Sequence, residues 1–213
     1  MKNRYFGAQY VGDFIKVTNI NIYGLDWSVK ASALAKIRSL DELYARTELF
    51  TEDEDLNSLK RAKSLGNAPQ GSGHDCFLKG ITVQATFHFP QWMWQQAKRY
   101  HWFDIVTSTS TMHCITEFDL DEMCDDYVTP YIKEYLRELV KVYKETKDEE
   151  VYQRIISNIP SGLILPAAVT TNYMQLKTMY NQRKHHKMKG WREFCEWCEC
   201  LPLFNELCIK FDK

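Results

Sequence analysis

Glycine and proline are scarce, with 9 and 6 in 213 residues. That excludes collagen-like and low-complexity chains. An excess of either charge is also lacking: 27 basic against 28 acidic residues leave a net charge of −1. Such a chain has no global field to draw in nucleic acid or an anionic membrane surface, so any phosphate must be held by local cations. No uncharged stretch is apolar enough to span a bilayer. One of the longest, residues 155–174, is interrupted by Asn, Pro and Thr,. Residues 1–4 are not followed by an apolar run, so no secretory leader is expected,. Seven cysteines are an odd number in a chain too large to need disulfide staples, which predicts a reducing, cytoplasmic setting,. Gly-x-Ser-x-Gly, the phosphate-binding P-loop, the dinucleotide fingerprint and His-Glu-x-x-His are all missing,.

What is present is ordinary globular material, 45% hydrophobic and 14% aromatic. The length fits one domain spanning residues 1–213. The aromatic rings suit a large core or flat faces against planar ligands. Residues 14–23 alternate apolar and polar with a register change near Asn19, and read as a strand. An Ala-, Leu- and Lys-rich stretch, 28–43, reads as a helix, and so does 56–65. Residues 66–73 hold three Gly and one Pro and form the strongest break in the chain,. Ile81, Val83, Ala85, Phe87 and Phe89 then alternate as a second strand, stopped by Pro90. Residues 91–103 show helical spacing. The Ser/Thr run 107–111 is unsuited to a helix interior. Thr129-Pro130 is a helix start, followed by the apolar stripe Ile132, Tyr135, Leu136, Leu139, Val140 and Tyr143. Residues 151–156, 170–183 and 191–200 complete the helices. The expected class is α/β (α+β), a modest central β-sheet flanked by helices.

Four constellations could carry chemistry. Gly71-Ser72-Gly73-His74-Asp75 is a flexible loop before a strand. It is either an incidental surface loop or a holder for a phosphate or polar ring. Gln96, Arg99 and Tyr100 share one side of a helical turn, followed by His101 and Trp102. They are either a solvated amphipathic face or an Arg fork with rings for stacking. Asn172, Gln175, Thr178 and Gln182 place several polar groups on adjacent turns before the basic run 183–189. Amides suit planar donor–acceptor edges, whereas the cations also suit a helix C-terminus. Cys195-x-x-Cys198 could suggest zinc or redox chemistry. With no second cysteine pair at finger spacing, it reads as buried structural thiols, and no metal is expected.

Taken in order, the first three constellations resemble the flavin-dependent thymidylate synthases. Gly73-His74-Asp75 corresponds to that family's Gly-His-Glu/Asp segment. Gln96 precedes Arg99-Tyr100-His101, which stands in place of the Arg-His-Arg signature. Thr109 and Ser110 fall where the family places a Ser, and Leu165-Pro166 matches a Leu-Pro step. Asn172 and Arg183 keep the family spacing. The resemblance covers residues 71–113 and 162–200.

The resemblance implies an FAD site lined by His74, Arg99, Tyr100, His101 and Asn172. It implies a pyrimidine deoxynucleotide facing Gln96, Ser110 and Arg183, with catalytic roles for Arg183 and Ser110. It further implies an enzyme of nucleotide biosynthesis. That enzyme would be a methyltransferase moving a one-carbon unit from methylenetetrahydrofolate to C5 of dUMP, with NADPH as reductant. The family forms homotetramers with shared active sites. Tyr100 and His101 depart from the signature, and Gly162 and Met174 stand where basic residues belong. Each lost charge-assisted phosphate contact costs about 1.5–3 kcal/mol. Lys177, Lys184, His185, His186 and Lys187 are candidate replacements. The altered signature also motivates an alternative, a nucleotide-binding protein on the same scaffold that sequesters or modifies another pyrimidine.

Overall fold

The computed structural model describes residues 8–43, 52–69 and 71–209. The reading of residues 1–4 lies outside them. Five strands form one antiparallel sheet: β1 (Ala8–Val11), β2 (Lys16–Tyr23), β3 (Thr82–Pro90), β4 (Asp104–Ser108) and β5 (Ile164–Asn172), in the spatial order β1-β2-β3-β5-β4. The alternation in β3 dictates its facing. Val83, Ala85, Phe87 and Phe89 are buried, while Gln84, Thr86 and His88 line a polar face. That face is knitted by side chains: Gln84 Nε2 donates to Thr170 Oγ1 at 3.3 Å, and Asn19 Nδ2 to Thr86 Oγ1 at 3.4 Å. The register change near Asn19 is a bulge between Thr18 and Asn21. There Asn19 takes φ 53°, a left-handed conformation that Asn tolerates,.

The described helices are α1 (Leu25–Ala31), α2 (Glu52–Gly66), α3 (Gln91–Ala97), α4 (Thr111–Cys114), α5 (Pro130–Thr146), α6 (Glu149–Ser157), α7 (Tyr173–Arg183), α8 (Lys189–Glu199) and α9 (Phe204–Cys208). α8 lays Trp191, Phe194 and Trp197 on the apolar face of the sheet. The Phe87 ring lies 5.0 Å from Trp197 and 6.4 Å from Phe194. The same helix carries buried Glu193, whose Oε2 accepts from the backbone N–H of Phe14 at 2.8 Å and Ile15 at 3.1 Å. A carboxylate thus satisfies two donors that enter β2 without a strand partner. A second core forms around Ile115, Leu136, Ile155 and Leu163 where α5 and α6 pack, and Leu165 touches both cores.

Four sequence readings are corrected. The helix expected over 28–43 is α1, ending at Ala31, followed by a 3-10 turn at Leu34–Lys36. Ser32 Oγ donates to Val29 O at 2.6 Å, and a hydroxyl bonded to nearby backbone competes with helix continuation,. The helix expected over 91–103 stops at Ala97. The chain then tightens through Arg99 N→Gln96 O and Tyr100 N→Ala97 O, and Phe103 turns into the core at 4% exposure. Residues 164–172, not read as a strand, form the inner strand β5. Pro166 is tolerated in it because β4 has already ended at Ser108. The Pro166 carbonyl is used by Thr109 N at 2.9 Å,. Asn172, placed inside a helix by the sequence reading, is instead the N-cap of α7, with its Oδ1 accepting from Gln175 N at 2.9 Å,.

Candidate functional site

α3 and α7 meet through side chains separated widely in sequence. Arg183, at the end of α7, donates from Nε to Tyr100 Oη at 2.8 Å and from Nη1 to Gln96 Oε1 at 3.1 Å. Its guanidinium carbon lies 4.4 Å from the Trp191 ring centre and 5.5 Å from that of Tyr100. Cation–π contact on two rings holds the fork in one plane. Trp191 Nε1 also donates to Gln96 Oε1 at 3.0 Å, and Tyr100 Oη donates to Gln182 Oε1 at 3.0 Å. Gln96, Tyr100 and Arg183 are all half-buried, so the cluster is held from beneath and reachable from above.

The loop after α2 builds a second feature. Gly71 and Gly73 adopt φ 85° and 76°, the left-handed turns that bring His74 round to the 3-10 turn Cys76–Gly80,. His74, Gly73, Cys76, Phe77 and Gly80 border an open cavity of about 420 Å³ that Trp27, Ser28 and Ser32 also line. That size is in the range of small-molecule sites. Trp27 is 70% exposed and offers an indole to the cavity. Ser28 Oγ is buried and has no hydrogen-bond partner among the described residues.

One buried ion pair fixes this loop to α7. Lys177 Nζ donates to Asp75 Oδ2 and to Gly66 O, both at 2.6 Å. The ammonium therefore joins the end of α2 to the far end of the loop. Lys177 is 5% and Asp75 1% exposed.

The remaining expected residues are scattered. Arg99 and His101 are exposed, the latter edge-on to Trp102 at 4.4 Å. Ser110 is half-buried just before α4, where its carbonyl accepts from Cys114 N at 3.0 Å. Within this chain, none of Arg99, Tyr100, His101 or Asn172 lines the cavity that His74 borders.

The replacement cations fare unevenly. Lys177 is buried and committed, so it is no phosphate ligand. His186 is held below its usual pKa by burial and then by Arg183, and it stays neutral at neutral pH. Lys184, His185 and Lys187 are exposed. Gly162, which stands where the resemblance calls for a basic side chain, has no room for one. A Cβ there would meet Val128 Cγ2 at 2.5 Å and Asp125 Oδ1 at 2.7 Å.

Cys195 and Cys198 are buried. Burial pushes Cys195 up to about 12 and Cys198 well above the usual thiol value, so both are protonated and inert,. Among the described residues, no group of three or more His, Cys, Asp or Glu is placed to hold a metal ion. No helix among them is long and apolar enough to cross a membrane.

Sequence reasoning passed over Trp191 and the Lys177–Asp75 pair. Nothing in residue spacing links Trp191 to Arg183 across the turn between α7 and α8. Lys177 sits in a helix whose polar residues are spread all round it.

The five-stranded antiparallel sheet with its helices is the fold of the flavin-dependent thymidylate synthases. Two crystal structures of ThyX from Helicobacter pylori, each with FAD and dUMP, match with a TM-score of 0.67 at 13% sequence identity. The match covers 89% of this chain and 97% of each of theirs. No protein-family model matches the sequence, and no curated protein matches it.

Proposed function

We propose that this chain is a flavin-dependent thymidylate synthase-like enzyme, built as one domain. It would bind FAD and a deoxyuridine nucleotide and transfer a one-carbon unit from methylenetetrahydrofolate to the base C5, with NADPH as reductant. The observation that carries the reading is the Arg183 cluster, assembled from Gln96, Tyr100 and Arg183 on a scaffold shared with an FAD- and dUMP-bound enzyme.

The residues present fit a flavin ring. The cavity beside His74 offers the Trp27 and Phe77 rings and the unpartnered Ser28 hydroxyl, a donor–acceptor for a heteroatom on a planar ligand,. FAD has two ring systems and the cavity has room for one. Arg99, His101 and Asn172 stand apart from it, so the reading includes a homotetramer in which subunits complete each other's sites.

When bound, the reduced flavin supplies the hydride and takes part in carbon transfer, so no nucleophilic Ser or Cys is required. The chain itself positions and polarises. Arg183, fixed on Trp191, places positive charge against ring oxygens or phosphate without reorganising at the moment of reaction,. Gln96 orients the nucleotide beside it. Ser110, before α4, is assigned to the nucleotide as well.

Purified protein is expected to be yellow and to convert dUMP to dTMP with NADPH and methylenetetrahydrofolate. A colourless protein that stays inactive with added FAD contradicts the reading. One specific observation favours the non-methylating alternative: Gly162 has no room for a cation and Lys177 is sequestered, so phosphate anchoring is reduced. Calorimetry with a nucleotide panel separates the two. Tight binding of a non-uracil nucleotide without turnover supports the alternative.

A further inference from the structure

Every hydrogen bond within the Arg183 cluster has a defined direction. Trp191 Nε1 and Arg183 Nη1 both converge on one atom of Gln96. Indole and guanidinium nitrogens only donate, so that atom must be the amide oxygen, and the opposite amide orientation would set donor against donor. Arg183 Nε likewise donates to Tyr100 Oη, and the phenolic hydrogen goes to Gln182 Oε1. The Gln96 oxygen therefore has both lone pairs filled inside the cluster, and the Gln182 oxygen is bonded to Tyr100,. The two glutamine Nε2 groups and Arg183 Nη2 have no partner among the described residues. Gln182 is exposed, and Gln96 and Arg183 are half-exposed.

We propose that Trp191 and Tyr100 are positioning residues that fix Gln96, Gln182 and Arg183 so that their Nε2 and Nη2 groups form a surface dominated by outward hydrogen-bond donors. Such a surface accepts ligand oxygens, whether phosphate or ring oxo groups. It rejects a ligand that presents an amino group at the same place, because two donors face each other and neither is satisfied. This inference rests on the nucleotide reading of the Arg183 site, and it adds what sets that site's polarity.

Gln96→Glu tests it. A glutamate at position 96 still accepts from Trp191 and Arg183, so the internal bonds persist while the outward amide becomes a carboxylate oxygen. Gln182→Glu does the same at an exposed position and covers the case in which the first variant does not fold. Calorimetry uses dUMP, dCMP, deoxyuridine and inorganic phosphate, with thermal unfolding of each variant alongside. The inference expects unchanged unfolding and at least about tenfold weaker dUMP binding in each variant that folds. If ring oxygens are read, deoxyuridine weakens as well and the dUMP-to-dCMP preference falls. If phosphate is read, dUMP, dCMP and inorganic phosphate weaken together. Trp191→Phe keeps the ring beneath the guanidinium and removes the N–H. It is expected to erode the affinity for whichever oxygen is read, and also to lower the unfolding temperature, because Trp191 is fully buried,. Wild-type binding that neither glutamate variant alters overturns the donor-surface inference alone. Failure of every probe to bind the wild-type protein overturns it together with the nucleotide reading.

Discussion

Replacing Lys177 with methionine is expected to destabilise the protein by about 3–5 kcal/mol, the loss typical when one partner of a buried ion pair is removed. Methionine keeps most of the volume, so the effect isolates the charge. Asp75 would remain 1% exposed without its cation, and its Oδ1 already lacks a partner. The Gly66 carbonyl would lose its donor as well. Urea unfolding at unchanged slope measures the difference. The double variant Lys177→Met, Asp75→Leu is expected to recover part of the loss, because no unpaired charge is left buried. A single-variant cost below about 1 kcal/mol, the worth of an exposed pair, would show that the pair is hydrated and does not clasp the loop.

Arg183→Ala is expected to weaken dUMP binding by about 10²–10⁴-fold, the loss if the guanidinium makes the two charge-assisted contacts the proposed site calls for, at about 1.5–3 kcal/mol each. The fold should survive. Arg183, Tyr100 and Gln96 are all half-buried, and Gln96 Oε1 keeps the Trp191 donor. Arg183→Lys should recover little, because an ammonium cannot reproduce a planar fork bonded to both Tyr100 and Gln96 while lying over Trp191,. Equal dUMP affinity in the alanine variant and the wild type would remove Arg183 from the nucleotide site.

The legible parts of the fold are those where one residue class repeats with a clean period. β3 alternates without exception, so its strand and its buried face follow from residues 81–89 directly. The bulge at Asn19 shows as a slip in the same alternation. β5 was not legible. Its residues, Ile-Leu-Pro-Ala-Ala-Val-Thr-Thr-Asn, are buried or half-buried along the whole strand and include a proline, so neither the period nor the usual strand rules apply,. α3 was overextended because Gln96, Arg99 and Tyr100 keep helical spacing while tertiary packing of Phe103 ends the helix.

The candidate site divides along the same line. Gln96, Tyr100 and Arg183 were legible as an ordered set, and they are joined by hydrogen bonds in the folded chain. Lys177 read as a candidate phosphate cation because nothing local marks a buried lysine. Its burial depends on Asp75, one hundred and two positions away. Trp191 read only as the start of a helix; it is a fully buried core aromatic whose N–H also sets the direction of Gln96.

The measurement that bears most directly on the account is a crystal structure of the assembled protein grown with FAD and dUMP. The account predicts a flavin bordered by His74, Arg99 and Asn172, drawn from one or more subunits, with dUMP against Gln96 and Arg183. Bound ligands lying away from those residues, or subunits that leave His74 remote from every copy of Arg99 and Asn172, would contradict it.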